Sequence, residues 1–114
     1  MELQYNDLEQ DIRMIKLQGK LDIFGVNDIE TKFTGYCSGE NVRVVVDLSG
    51  VEFLASIGIR LLTTNAKSLL SRGGKMVLLN PTEEVKGVLE MTGIPSIIPI
   101  YDYLESAETV LLAQ

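Results

Sequence analysis

Residues 47–60 read DLSGVEFLASIGIR and deliver one hydroxyl, Ser56, into an apolar setting made by Leu54, Ile57 and Ile59, just ahead of Gly58. Two roles are open to a serine placed there. A helix N-terminus carries about half a positive charge and unsatisfied amides, so it accepts either a capping hydroxyl or a phosphate. As an N-cap, Ser56 would stabilise its helix by about 1 kcal/mol. As a phosphate acceptor, it would be the point at which the protein is switched. Two other oxygen-bearing positions belong to the same frame, Asp22 and Asp47–Ser49. Asp22 reads as a loop or cap aspartate, and Asp47 as the anchor of a turn through an Asx-type hydrogen bond.

Composition removes most other chemistries. The chain has no histidine and a single cysteine, Cys37. This excludes His-based triads, His metal sites and phosphohistidine carriers, and one cysteine builds neither a thiolate zinc site nor an intramolecular disulfide. Cys37 reads as a small buried filler. Gly73-Gly74-Lys75 lacks the GxxxxGK[ST] spacing of a phosphate loop and reads as a helix C-cap followed by a strand. Glu52 reads as a solvated side chain, and no carboxylate has an evident catalytic partner. No enzyme activity, cofactor or metal is therefore expected. Ten basic against sixteen acidic residues give a net charge of -6, which lacks the basic footprint that nucleic-acid binding needs. A protein partner with a basic face remains compatible. No window approaches the ~20 apolar residues of a membrane helix, and with no signal-peptide pattern a reducing cytoplasm is the expected setting.

The elements that must position these residues follow from spacing. A chain of 114 residues, 46% hydrophobic, fits one domain over 1–114 with a core that needs no staples. Leu3, Tyr5 and Leu8, then Ile12, Met14 and Leu17, alternate as a β-hairpin whose turn would begin at Asn6-Asp7. Gly19–Asp22 follows as a strand end or loop. Val26, Ile29, Phe33 and Tyr36 fall at helical spacing, and Cys37-Ser38-Gly39 stops that helix. Val42–Leu48 is the β-branched run expected of a central strand buried on both faces. Ile57–Ser71 carries a broad apolar stripe, with Arg72-Gly73-Gly74 as basic last turn and C-cap. Met76–Leu79 is another buried strand, and Thr82 caps a helix ending near Thr92-Gly93. Ile97–Tyr101, interrupted by Pro99, reads as an edge strand, and Asp102 as the cap of a final helix through about Leu112. The order β-β-α-β-α-β-α-β-α predicts an α/β fold with a mixed sheet of about five strands and about four helices. Such sheets gather functional groups at the carboxyl ends of strands, where Asp22, Asp47–Ser49 and Ser56 are expected to meet.

The same stretch resembles the signature of the STAS family, the sulfate-transporter and anti-sigma-factor-antagonist domain. That pattern is a strand ending in D-[LI]-[ST], then x-V-x-[FY]-[LMI]-D-S-[ST]-G-[LI]. Asp47-Leu48-Ser49, Val51, Phe53, Leu54, Ser56, Gly58 and Ile59 fall in register with it. Gly19-Lys20-Leu21-Asp22 is similar to the family's G-x-[LI]-D element, and Gly73-Gly74 to Asn80-Pro81 to its G-[GK]-x-[LV]-x-[LV]-x-[NG] strand. Leu89, Thr92-Gly93 and the strand to Tyr101 also fit, so the likeness covers essentially the whole chain.

The resemblance implies a STAS-like fold and the role of an anti-sigma factor antagonist. Such a protein binds an anti-sigma factor, a serine kinase with an ATPase fold, and so frees sigma factor. It further implies that the kinase phosphorylates the serine aligned with Ser56, and that a PP2C-type phosphatase reverses the step. Asp22 matches a position beside that serine that helps kinase binding, and the expected partner surface is Asp22, Leu54, Ala55, Ser56, Ile57, Gly58 and Ile59. Two positions depart from the pattern: Ala55 stands where antagonists usually carry Asp, and Ile57 where they carry a second Ser or Thr. Those departures favour an alternative role, an unphosphorylated scaffold or accessory subunit of a larger regulatory or transport complex.

Overall fold

Approximate alternation of apolar and polar residues in the first twenty positions sets two strands against each other. In the computed structural model, which describes residues 1–113, β1 (Glu2–Leu8) and β2 (Ile12–Leu21) pair antiparallel with Leu8 opposite Ile12. Asn6 and Asp7, expected to begin the turn, stay in the ladder opposite Met14 and Arg13. The turn is instead the 3-10 segment Glu9–Asp11, where Gln10 and Asp11 take positive φ of 64° and 60°. The Leu8–Ile12 contact closes the hairpin later than the local polarity of Asn6-Asp7 suggests.

After β2 the chain alternates helix and strand: α1 (Ile23–Tyr36), β3 (Arg43–Leu54), α2 (Ser56–Ser71), β4 (Lys75–Leu79), α3 (Glu83–Met91), β5 (Ile100–Tyr101) and α4 (Leu104–Leu112). The sheet order among the described residues is β1-β2-β3-β4-β5, parallel from β2 onward. This is the mixed α/β sheet of five strands with four α-helices that the sequence predicts. The parallel strands advance in one direction, so right-handed crossovers place α1, α2 and α3 on one face. Their Phe33, Leu62 and Leu89 pack there with Val44, Val46 and Leu78. On the other face Val45, Val77 and Leu79 meet Ala107 and Leu111 of α4. The unbroken Val44–Val46 run is therefore the mark of a strand covered on both sides.

Two elements of the C-terminal third differ from expectation. Ile94–Ser96 forms a 3-10 turn and the strand shortens to Ile100–Tyr101. Pro99 has no N–H to extend the ladder, although its carbonyl accepts from Leu78 N–H at 2.9 Å. Asp102 does not cap α4, whose N-cap position is Tyr103 with no side-chain cap bond.

The C-terminus of α1 is closed by two arginines from elsewhere in the chain. Arg13 of β2 donates from Nη1 to the carbonyls of Tyr36 (2.8 Å) and Ser38 (3.1 Å). Arg72 donates from Nε to Gly39 O (2.8 Å), from Nη2 to Cys37 O (2.8 Å), and from Nη1 to Ser68 Oγ. The basic residue read as favouring the end of α2 thus also serves the carbonyl end of α1. α2 itself ends in a Schellman motif, Gly74 N–H to Leu69 O (2.8 Å) and Gly73 N–H to Leu70 O (3.2 Å), with Gly73 at φ +78°.

Arg72→Ala removes a charged clamp across three segments, so it should lower unfolding free energy by about 1–2 kcal/mol. Urea titration should show an earlier midpoint at an unchanged slope. Cys37 is buried, and desolvation pushes its thiol up to about 12, with the nearby Arg13 and Arg72 charges lowering it. Its folded pKa is raised, so its contribution to stability is complete below the unfolded thiol value of about 8.5 and is lost as pH climbs toward the folded value. A thiol reagent at about pH 8 should label the native protein only as fast as it opens; labelling at the rate of a free cysteine would contradict the buried placement.

Candidate functional site

The carboxyl ends of β2 and β3 extend beyond the rest of the sheet. β3 pairs with β4 only from Arg43 to Asp47, but with β2 as far as Leu21 opposite Leu54. The strand expected to end at Leu48 therefore continues to Leu54, and Asp47-Leu48-Ser49 is not a turn. It is a bulge, where the register shifts between Lys16 and Gln18, and Asp47 Oδ1 accepts the Ser49 N–H at 2.9 Å. The expected Asx-type bond exists, but it stabilises an extra residue in a strand. Gly50 belongs to this irregularity, since a Cβ there would come within 2.7 Å of Gln18 Cγ and 3.0 Å of Leu17 O. Asp47 consequently lies well back along β3 and does not join Asp22 and Ser56 at the strand ends.

Asp22 and Ser56 are brought together by backbone pairing. Leu21 and Leu54 are register partners, and the Ala55 N–H donates to Leu21 O at 3.1 Å. The residues that follow, Asp22 and Ser56, start α1 and α2 side by side. Gly58 permits this closeness: a Cβ on it would lie 2.7 Å from both Leu21 O and Leu21 Cγ.

The helices that follow β2, β3 and β4 begin differently. Asp22 is the N-cap of α1, its Oδ1 accepting from Gly25 N–H at 2.9 Å. Thr82 caps α3 through its Oγ1 and Val85 N–H at 3.2 Å, as expected. α2 has Ala55 at the N-cap and no side-chain cap bond. Ser56 is not the cap; it is the first helical residue, and it is exposed. The opening amides of α2 are thus left without a side-chain acceptor, with a free hydroxyl beside them.

Around Ser56 the expected partner surface divides by burial. Leu54 and Gly58 are buried, Asp22, Ala55, Ile57 and Ile59 are half-buried, and Ser56 alone is exposed. The large apolar side chains that stand exposed in the adjoining segments lie outside the expected partner surface: Ile23 (54% exposed), Phe24 (75%) and Phe53 (52%), of which only Phe53 was named from the sequence, as part of the family signature. A signal for Phe24 was present, because it precedes the Val26-Ile29-Phe33 stripe and falls off it; Ile23, three residues before Val26, falls on the stripe and gave none. Phe53, opposite Lys20 at the tip of the two-stranded extension, lines two openings. One, of about 380 Å³, is shared with Lys20, Asp22 and Glu52; the other, of about 220 Å³, with Glu84, Val85 and Val88 of α3. The result is exposed apolar surface at Phe53 bordered by Asp22, Glu52 and Glu84 together with Lys20, a border with an excess of carboxylates that suits a partner with basic groups at its rim. Among the described residues no cluster of three or more His, Cys, Asp or Glu side chains is placed to hold a metal, and no helix is long and apolar enough to cross a membrane.

Comparison with known proteins gives a consistent picture. Residues 7–107 match the family pattern described as the STAS domain. The anti-sigma F factor antagonist of Paenibacillus polymyxa is 31% identical over 101 residues, spanning 88% of this chain and 86% of that protein. An anti-sigma factor antagonist from Mycobacterium paratuberculosis superposes with a TM-score of 0.86 at 22% identity, covering 96% of this chain and 92% of that one. The Bacillus cell fate determinant SpoIIAA in its phosphorylated form superposes at 0.71 with 22% identity, covering 96% and 99%. The last two likenesses carry the fold.

The contrast between the two helix starts has a direct thermodynamic consequence. Asp22→Ala should cost about 1 kcal/mol through the lost cap of α1. Ser56→Ala, at an exposed position with no capping bond, should stay within about 0.5 kcal/mol of the parent. Denaturant unfolding of both variants measures this, and an equal loss at Ser56 would mean that its hydroxyl caps α2 after all.

Proposed function

Because the chain belongs to the STAS domain family, we propose that it acts as an anti-sigma factor antagonist whose partner docks on the face around Ser56. In keeping with that family of regulators, it is not an enzyme. One observation carries the reading: the exposed serine sits at the uncapped start of α2, next to the capped start of α1, while Phe24 of the first turn of α1 and Phe53 near the end of β3 are also exposed. Apolar surface supplies the affinity, and the carboxylates of Asp22, Glu52 and Glu84 select a partner with basic groups at its rim.

The partner on this reading is an anti-sigma factor that is also a serine kinase with an ATPase fold. It transfers the γ-phosphoryl group of ATP to Ser56 Oγ, with loss of the hydroxyl proton, and a PP2C-type phosphatase removes it by hydrolysis. The open amides of α2 suit a phosphate on the first helical residue, so the free protein need not change its fold to carry one. Against a docked partner the same group is costly. Its dianion loses hydration against the apolar part of the partner, away from the basic rim, and a partner carboxylate about 6 Å from it would repel each unit of added charge by about 3 kcal/mol at an effective dielectric of about 20, roughly a hundredfold in affinity. Release would then be local, steric and electrostatic.

Ala55 and Ile57 favour a second reading, in which the chain is an unphosphorylated scaffold or accessory subunit. Neither residue offers the extra carboxylate or hydroxyl that would shape a kinase contact. The two readings separate in one experiment. A pull-down followed by incubation with ATP should give a single-phosphate mass gain in the parent and none in Ser56→Ala. Ser56→Glu should bind the recovered anti-sigma factor about a hundredfold more weakly. Phosphorylation of Ser56→Ala at the parent rate removes the site assignment, and recovery of a larger assembly with no phosphorylation favours the scaffold.

A further inference from the structure

The start of α2 faces the docking surface, but further along the same helix a groove of about 320 Å³ opens against α1. That is the size class of small-molecule sites. Its apolar part is Val26 of α1 with Ile57 and Leu61 of α2, and its polar part includes Glu30, Arg60 and Asn65. The rows are helical: Val26 and Glu30 are one turn apart on α1, as are Ile57, Leu61 and Asn65 on α2.

Two features of this groove bear on what it can hold. The first is its charge. Glu30 and Arg60 line it from opposite helices, yet the one ion pair among the described residues joins the Met1 ammonium to Asp28 at 3.4 Å. Opposite charges therefore line one groove without forming an ion pair with each other. The second is Asn65, an amide in the middle of a helix that is only 6% exposed. Its Nδ2 donates to Leu61 O (3.0 Å) and to Thr34 Oγ1 (3.4 Å), and Oδ1 accepts from no group in the chain. No fully buried side-chain nitrogen or oxygen among the described residues lacks a partner. Oδ1 must therefore keep an opening to solvent, and the groove that Asn65 lines is that opening. An apolar residue at 65 would pack α2 against α1 without the cost of burying an amide.

We infer that this groove binds a small zwitterion of the α-amino acid type. The carboxylate meets the Arg60 guanidinium, the ammonium lies between Glu30 and Asn65 Oδ1, and the side chain rests on Val26, Ile57 and Leu61. A simple anion would be repelled by Glu30 and a simple cation by Arg60, whereas a molecule carrying both charges satisfies both walls. The site adjoins the docking face, with which it shares Ile57, but it does not depend on the antagonist reading.

NMR titration of the full chain with each common amino acid, up to about 10 mM, tests the inference in the affinity range expected of so small a ligand. At least one amino acid should give saturable amide shifts at Thr34, Ile57 and Asn65. Acetate and methylamine, which carry one charge each, should bind at least about tenfold more weakly. Glu30→Gln and Arg60→Gln lie at exposed positions; each should weaken binding by about tenfold or more while thermal unfolding stays unchanged. Three outcomes overturn the proposal: no saturable shift with any amino acid, equal binding of the single-charge probes, or affinity that survives both substitutions.

Discussion

The arrangement of this protein hinges on Leu21. It is fully buried, it pairs with Leu54 across the last rung between β2 and β3, and its carbonyl accepts the Ala55 N–H. The same carbonyl lies where any side chain at position 58 would have to go, so only glycine lets α2 begin against the end of β2. One residue therefore fixes where α1 starts, through Asp22 immediately after it, and where α2 starts, through Ala55 and Gly58. Asp22 and Ser56 become neighbours because their backbones are pinned to a shared rung.

That rung is available only because β3 runs on beyond β4. Bulges absorb extra residues of β3 relative to β2, and Asp47 secures the first of them from its own side chain. The two-stranded extension carries Phe53 and Glu52 out past the sheet, while Phe24 and Ile23 emerge from the adjoining start of α1. An exposed patch of this kind is expensive to leave in water and marks an interaction surface. Its acidic rim agrees with the net charge of -6 and with an expected basic partner.

Helix ends show how differently similar local sequences are used. α1 takes its N-cap from Asp22 and its C-terminal partners from Arg13 and Arg72, both remote in sequence. α2 is closed at its C-terminus by Gly73-Gly74 and left open at its N-terminus. In a domain where neighbouring helices are capped, an open terminus beside a free hydroxyl is a place where an added anion is tolerated by the fold while being disfavoured at an interface.

Much of this was legible from residue order. Periodicity located α1 and α2, cap-like residues marked α3 and α4, and the unbroken β-branched run marked the buried Val44–Val46 strand; the Thr82 cap and the glycine stop after α2 were readable because they rest on contacts between residues a few positions apart. The order of strands and helices was enough for the α/β class, since handed crossovers leave few topologies. The DLSG stretch misled as to where β3 ends, because polar residues in a bulge look like a turn until the neighbouring strand is known. Ser56 and Asp102 looked like caps for a related reason: whether a hydroxyl or carboxylate caps a helix depends on which residue takes the first helical φ and ψ. Sequence alone determined that a lone serine stands at the mouth of α2. The tertiary structure decided that this serine is exposed and makes no capping bond, that Phe24 and Phe53 are exposed as well, and that Glu30 and Arg60 line one groove. Those relations are set by pairing and packing between segments distant in the chain, which local spacing does not encode.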